Sequence, residues 1–254
     1  MNIFNSIRET IKYSQKYKGQ LTKNQLFYRL IGNKVYTREE FLKAISIVNY
    51  QIIKIKRKNK ELEKKIEKAE NLAKLIKENF KDILFLGITG SVAAGYPKKN
   101  DDIDLIIITK RDKLWINRLK LRIFIKKNKI PHRKFNKKEK KDDFCFNLWL
   151  DEKSIQIKEK QNLKNAIDLI LIRPLINKNE TYERFIRTND WAKKYVATGY
   201  SLKPTLPSLE KGGLKNSIFL DRVVNWLVFW PQFFYMKNRI KNEEIGLHKA
   251  FFHH

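Results

Sequence analysis

An α/β centre between two helical flanks is the fold class this sequence predicts, and three observations carry the prediction. Ile83–Thr89 and Ile103–Thr109 are near-continuous apolar runs, the pattern of strands buried on both faces. Residues 58–80 place Leu62, Ile66, Ala69, Ala73 and Ile76 at spacings of four and three, which draws one apolar stripe along a helix. Before and after these segments the capping residues and apolar spacing are those of helices. The pattern divides the chain into residues 1–56, a connecting helix over 57–80, an α/β core over 81–160 and a helical part over 161–254.

In the first block, Leu21–Leu26 opens a helix with Thr22 as its N-cap, and a turn follows at Ile31-Gly32-Asn33-Lys34. Thr37 with Glu40 three residues on is a capping-box signature for the next helix. Two short helices joined by a Gly-containing turn fit either a helix-turn-helix or an ordinary helical subdomain. Tyr50–Lys56 is a candidate wing strand. The helix over 58–80 alternates Lys and Glu on its other faces, as a solvated connector does.

In the third block, Gly90–Gly95 turns the chain from the first strand into a short helix, and Asp112 is placed to cap a helix beginning at Lys113. Phe144–Leu150 is a third strand, rich in aromatics. In the last block, a helix over 161–172 ends before Pro174, another starts at Thr181, and 198–213 reads as a loop. The apolar run Ile218–Met236 is broken by Asp221, Arg222, Asn225, Pro231 and Gln232. It therefore reads as a core helix, without the uninterrupted apolar span of about 20 residues that membrane crossing needs.

Of 254 residues, 55 are Lys or Arg and 27 Asp or Glu, a formal net charge of +28. Part of that excess is the profile of an AT-rich coding sequence. The field it creates still favours polyanionic partners: a nucleoside triphosphate, RNA or DNA, or an anionic membrane surface. A hydrophobic content of 42 % supports a packed core and excludes disorder throughout. The single Cys145 excludes a disulfide framework, and neither it nor His132, His248, His253 and His254 has zinc-site spacing. With no signal-like N-terminus, the expected setting is the cytoplasm. Residues 126–141 hold nine Lys or Arg and one acid, a block that is either a solvated loop or a phosphate-tracking segment beside the core.

The chemistry-bearing stretch is Gly90-Ser91-x-x-x-Gly95 followed by Asp101-Asp102-Ile103-Asp104-Leu105. Strand alternation points Asp102 and Asp104 to one face, about 7 Å apart along the backbone. Two such carboxylates repel unless a cation lies between them, and oxygen ligands of this kind suit Mg²⁺ or Mn²⁺ with phosphate oxygens completing the shell. The Gly90-Ser91 turn offers backbone N–H groups to a phosphate. A phosphate cradle beside a divalent-metal dyad is what phosphoryl or nucleotidyl transfer requires.

This joint pattern resembles the minimal nucleotidyltransferase domains of the DNA polymerase β superfamily, whose signature is Gly-Ser, a spacer, then Ser-Asp-Ile-Asp-Leu. Asp101 stands where that Ser usually stands. The stretches Asp104–Thr109, Lys113–Leu119, Cys145–Glu152 and Thr181–Phe185 are also similar to a little-characterised bacterial and archaeal group of such proteins. The resemblance implies a small mixed-sheet core flanked by an N-terminal winged-helix-like part and a C-terminal helical part. It implies Asp102 and Asp104 as metal ligands, Gly90 and Ser91 as holders of an NTP, and a third carboxylate on the neighbouring strand. There the mid-strand polar residue is Asn147, an oxygen ligand that cannot take a proton, with Asp143 and Asp151 as substitutes. The implied activity is Mg²⁺-dependent transfer of an NMP from an NTP to an acceptor hydroxyl of RNA, protein or a small molecule. The alternative is a catalytically degenerate nucleotide- or nucleic-acid-binding protein.

The crowding of Trp226, Phe229, Trp230, Phe233, Phe234 and Tyr235 points to packing rather than base stacking. Cys145, with no His nearby in sequence, is not expected to be a nucleophile.

Overall fold

The computed structural model describes residues 1–17, 21–48, 59–133, 140–203, 218–238, 240 and 243–252. The candidate wing strand over 50–56, most of the basic block beyond Arg133, residues 204–213 of the loop expected over 198–213 and His253–His254 lie outside them, while residues 198–201 of that loop are helical. The described chain forms two compact units, each drawing on separated stretches.

One unit comprises most of residues 1–60 together with 157–171 and 186–203, and among its described residues it is helical. α1 (Ile3–Lys16), α2 (Lys23–Tyr28) and α3 (Arg38–Ile47) start at the expected kinds of residue. Thr22 with Gln25 and Thr37 with Glu40 both make complete capping boxes. Their core is Ile7, Leu26, Leu30, Phe41, Ala44 and Ile45. These three helices do not by themselves make a winged helix.

The second unit comprises 61–156, 172–185 and the described residues from 218 onward. α4 (Lys60–Asn79) is not a solvated connector: it buries Ala69, Leu72, Ala73 and Ile76 in the main hydrophobic core. β1 (Ile83–Ile88) is buried throughout, and the short α5 (Gly90–Ala94) follows it. β2 (Ile103–Thr109), α6 (Leu114–Lys127) and β3 (Phe144–Asp151) come next. β2 and β3 pair in parallel, so α6 is the crossover between them. α7 (Leu163–Leu171) belongs to the first unit, whereas β4 (Arg173–Asn177) returns to pair antiparallel with β1. α8 (Thr181–Thr188), a short 3-10 turn and α9 (Lys193–Ser201) then lead to α10 (Ile218–Lys237). β5 (Glu244–Ile245) and β6 (Lys249–Phe251) complete a six-stranded mixed sheet of order β4-β1-β2-β3-β6-β5.

Two features of the C-terminal stretch correct the sequence reading. It is not wholly helical, because β4, β5 and β6 are strands of the sheet. They are too short to show a period of two in the sequence. α10 is not a fully enclosed core helix, since Leu220, Trp226, Leu227, Phe234 and Tyr235 stay exposed. Its polar interruptions are the docking side. Asn225 Oδ1 accepts from Trp115 N–H at 2.9 Å, and Gln232 Nε2 donates to Trp115 O at 3.1 Å. No described helix is long and apolar enough to cross a membrane.

Candidate active site

The antiparallel pairing of β1 with β2 brings the end of one strand beside the start of the other. Thr89 N–H donates to Asp104 O at 2.9 Å across this junction. Gly90 has φ +62, and a Cβ there would overlap Asp104 Oδ2. Only glycine combines that left-handed backbone with so close an approach to a carboxylate. Gly90→Ala is therefore expected to cost about 2 kcal/mol in urea unfolding and to displace the Asp104 carboxyl. Unchanged stability relative to wild type would refute this packing.

Parallel pairing of β2 with β3 sets Cys145 opposite Asp104. A register shift between Leu105 and Ile106 leaves Asn147 as the extra residue of β3, a bulge that re-aims its side chain. Asn147 Nδ2 donates to Asp104 Oδ1 at 2.8 Å, while its Oδ1 is buried without a hydrogen-bond partner. Asp102, 4 % exposed, receives Arg133 Nη1 at 3.0 Å. Carboxylate oxygens of Asp102 and Asp104 and the Cys145 sulfur all lie within 4.8 Å of one another.

Burial pushes the Asp102 carboxyl above the ordinary range, opposed by the charge and hydrogen bond of Arg133. Burial, and then the charges of Asp104 and Asp102, push the Cys145 thiol far up, so it stays protonated. A neutral soft thiol is no ligand for a hard cation. The two carboxylates and the orphaned amide oxygen of Asn147 are oxygen donors that do fit Mg²⁺ or Mn²⁺. Ser91 is partly buried, with no partner for its hydroxyl among the described residues.

The two candidate substitutes for the third carboxylate do not join this group. The Asp143 carbonyl accepts from Ile103 N–H at 2.9 Å, but its carboxyl is not among the converging atoms. Asp151 sits at the opposite end of β3 in a second potential metal-ligating group with Asp112 and His248. His248 Nδ1 lies 2.7 Å from Asp151 Oδ2, and Lys153 Nζ lies 2.7 Å from Asp112 Oδ1. Asp112, expected to cap α6, is instead buried there with φ 58. The cap position is taken by Lys113.

Behind the site lies a clamp that sequence reasoning missed. Lys65 on α4 is fully buried, and its Nζ donates to Asp101 O at 2.6 Å and to Asp142 Oδ1 at 2.7 Å. Lys68 Nζ takes Asp142 Oδ2 at 2.7 Å. The clamp joins the segment preceding β2 to the one preceding β3, the two places from which Asp102 and Cys145 emerge. The available signal was a lysine within the apolar stripe, between Leu62 and Ala69. Asp101 itself turns outward to accept from Lys98 N–H at 2.9 Å.

Residues 69–188 match the family model described as a nucleotidyltransferase domain. No curated protein and no solved structure matches the chain.

Proposed function

We propose, from the nucleotidyltransferase domain of the polymerase-β superfamily present over residues 69–188, that this protein transfers an NMP from an NTP to an acceptor hydroxyl. The observation that carries the reading is the convergence of Asp102 and Asp104 oxygens within 4.8 Å beside the Gly90 turn. In the reaction the acceptor oxygen bonds to the α-phosphorus. The bond from that phosphorus to the β-bridging oxygen breaks, and pyrophosphate leaves.

Asp102, Asp104 and the Asn147 amide oxygen would hold Mg²⁺ or Mn²⁺, which when bound supplies positive charge to the phosphoryl oxygens. Gly90, having no side chain, lets a triphosphate approach the carboxylates, and the Ser91 hydroxyl is available to donate to it. Arg133 balances the charge of Asp102. Asn147 takes no proton, Cys145 is already protonated, and Asp102 and Asp104 would be committed to the metal, so the acceptor's proton passes to solvent.

The test incubates purified protein with labelled NTPs, Mg²⁺ or Mn²⁺, and RNA, protein and small-molecule acceptors. Label transfer with pyrophosphate release supports the reading, and no release with any acceptor sinks it. Asn147→Asp is expected to raise the transfer rate about tenfold or more by adding a carboxylate beside Asp104. Like charge beside Asp104 also makes that variant's melting temperature rise on adding Mg²⁺. A rate and a melting temperature both indifferent to the substitution would remove Asn147 from the site.

Asn147 in the third position and the protein's own cation on Asp102 favour a second reading, a catalytically degenerate nucleotide- or nucleic-acid-binding protein. It expects RNA or DNA binding that weakens with salt and survives Asp104→Asn.

A further inference from the structure

Beside the carboxylate pair, a cavity of about 990 Å³ opens between α6, β3, α10 and Phe252, the residue after β6. It lies at the upper end of the range for small-molecule sites. Its walls include Phe146, Trp149 and Phe252, and among the described residues its charged lining is Arg118, Arg122, Lys126 and Arg133, with no Asp or Glu. Arg133 already meets Asp102, and the other three cations line apolar walls with no acid among the described lining residues, a lining that selects for negative charge.

Arg118 is the informative member. Its guanidinium donates to Gln232 Oε1 at 2.7 Å and to Met236 Sδ at 3.3 Å. It lies 4.6 Å from the Phe252 ring centroid and 5.3 Å from that of Trp115. All these partners are neutral, and among the described residues no carboxylate pairs with it. Burial, and then the neighbouring Arg122 charge, pull its pKa down to about 9, which leaves it charged at neutral pH. A half-buried cation held only by neutral groups is costly, and an anion entering the cavity relieves that cost. The remaining surface, aromatic and aliphatic, matches an apolar body of small-molecule size.

We propose that this cavity binds a small amphipathic organic anion, its carboxylate or phosphate on Arg118 and its apolar body against Phe146 and Trp149. The site is distinct from the NTP position but touches it. Arg133 both lines the cavity and holds Asp102, and Cys145 both lines the cavity and faces Asp104.

The test is calorimetric titration of the full chain, without NTP, using 2-naphthoate and 2-naphthyl phosphate as probes and uncharged 2-naphthylmethanol as control. At least one anion is expected to bind tenfold or more tighter than the alcohol, and the better of the two identifies the head group. Arg118→Met should erase that advantage and Arg118→Lys retain part of it. Should Arg118→Met fail to fold, Leu227→Trp, at an exposed lining position on α10, should narrow the cavity and weaken both anions. Asp104→Asn should leave probe affinity unchanged even where it removes NMP transfer, so this site and the transfer reaction fail separately. Equal binding of alcohol and anions, full affinity in Arg118→Met, or loss of probe binding in Asp104→Asn would each overturn the assignment.

Discussion

Asp104→Asn is expected to lower NMP transfer by about a hundredfold or more while leaving the protein folded. The substitution keeps the shape of the side chain beside Gly90, so the packing of the β1 turn against β2 survives. It also keeps the contact to Asn147, because an amide oxygen at position 104 accepts from Nδ2 as the carboxylate does at 2.8 Å. What disappears is one of the two negative charges at the proposed metal and phosphate position, so activity is lost without stability. Asp102→Asn is a poorer probe. It removes the negative charge that Arg133 meets at 3.0 Å, and so mixes a folding defect with the chemical one. Initial rates of pyrophosphate release, with melting temperatures of both variants, make the check. Transfer by Asp104→Asn at the wild-type rate would end the proposed assignment of the site.

Lys65→Met should produce the largest loss of stability, about 3–5 kcal/mol, because it removes one partner of a buried ion pair. Lys65 is fully buried and Asp142 is nearly so. After the substitution Asp142 keeps only the half-exposed Lys68, and Asp101 O keeps only the Asp142 N–H at 3.2 Å. The acid limb of stability should change as well. Burial pushes the Asp142 carboxyl up, but hydrogen bonds and charge from Lys65 and Lys68 outweigh it and hold it down to about 2. A carboxyl lowered on folding adds stability that is complete above its unfolded pKa, near 3.9, and disappears as the pH falls through about 2. Urea midpoints between pH 2 and 5 should therefore fall less steeply in Lys65→Met than in wild type. A variant within 1 kcal/mol of wild type at neutral pH would show that the clamp is dispensable.

The parts of the molecule legible in the sequence are those whose cause lies within a few neighbouring residues. Thr22 and Thr37 make their caps with residues three positions on. The apolar runs of β1 and β2 need no partner to announce burial on both faces, and the Gly90–Asp104 stretch carries both sides of a turn between paired strands. The Lys113 helix and the Phe144 strand were equally visible, as α6 and β3. The strands β5 and β6 were not, because two or three residues show no period and take their order from pairing with β3.

What the amino-acid sequence by itself determined is the α/β centre, the strand–turn–strand bearing Asp102 and Asp104, and the polar Asn147 on the next strand. Only the tertiary structure decided that Arg133 holds Asp102, that Asp151 lies at the far end of β3 from it, and that Lys65 is a buried clamp. It also decided that Arg118 lines a cavity with no acid among its described residues. Helix caps and strand patterns are set by contacts along a few residues of chain. Ion pairs such as Arg133–Asp102 and Lys65–Asp142 join residues 31 and 77 positions apart. Their partners are chosen by packing, which no local pattern records.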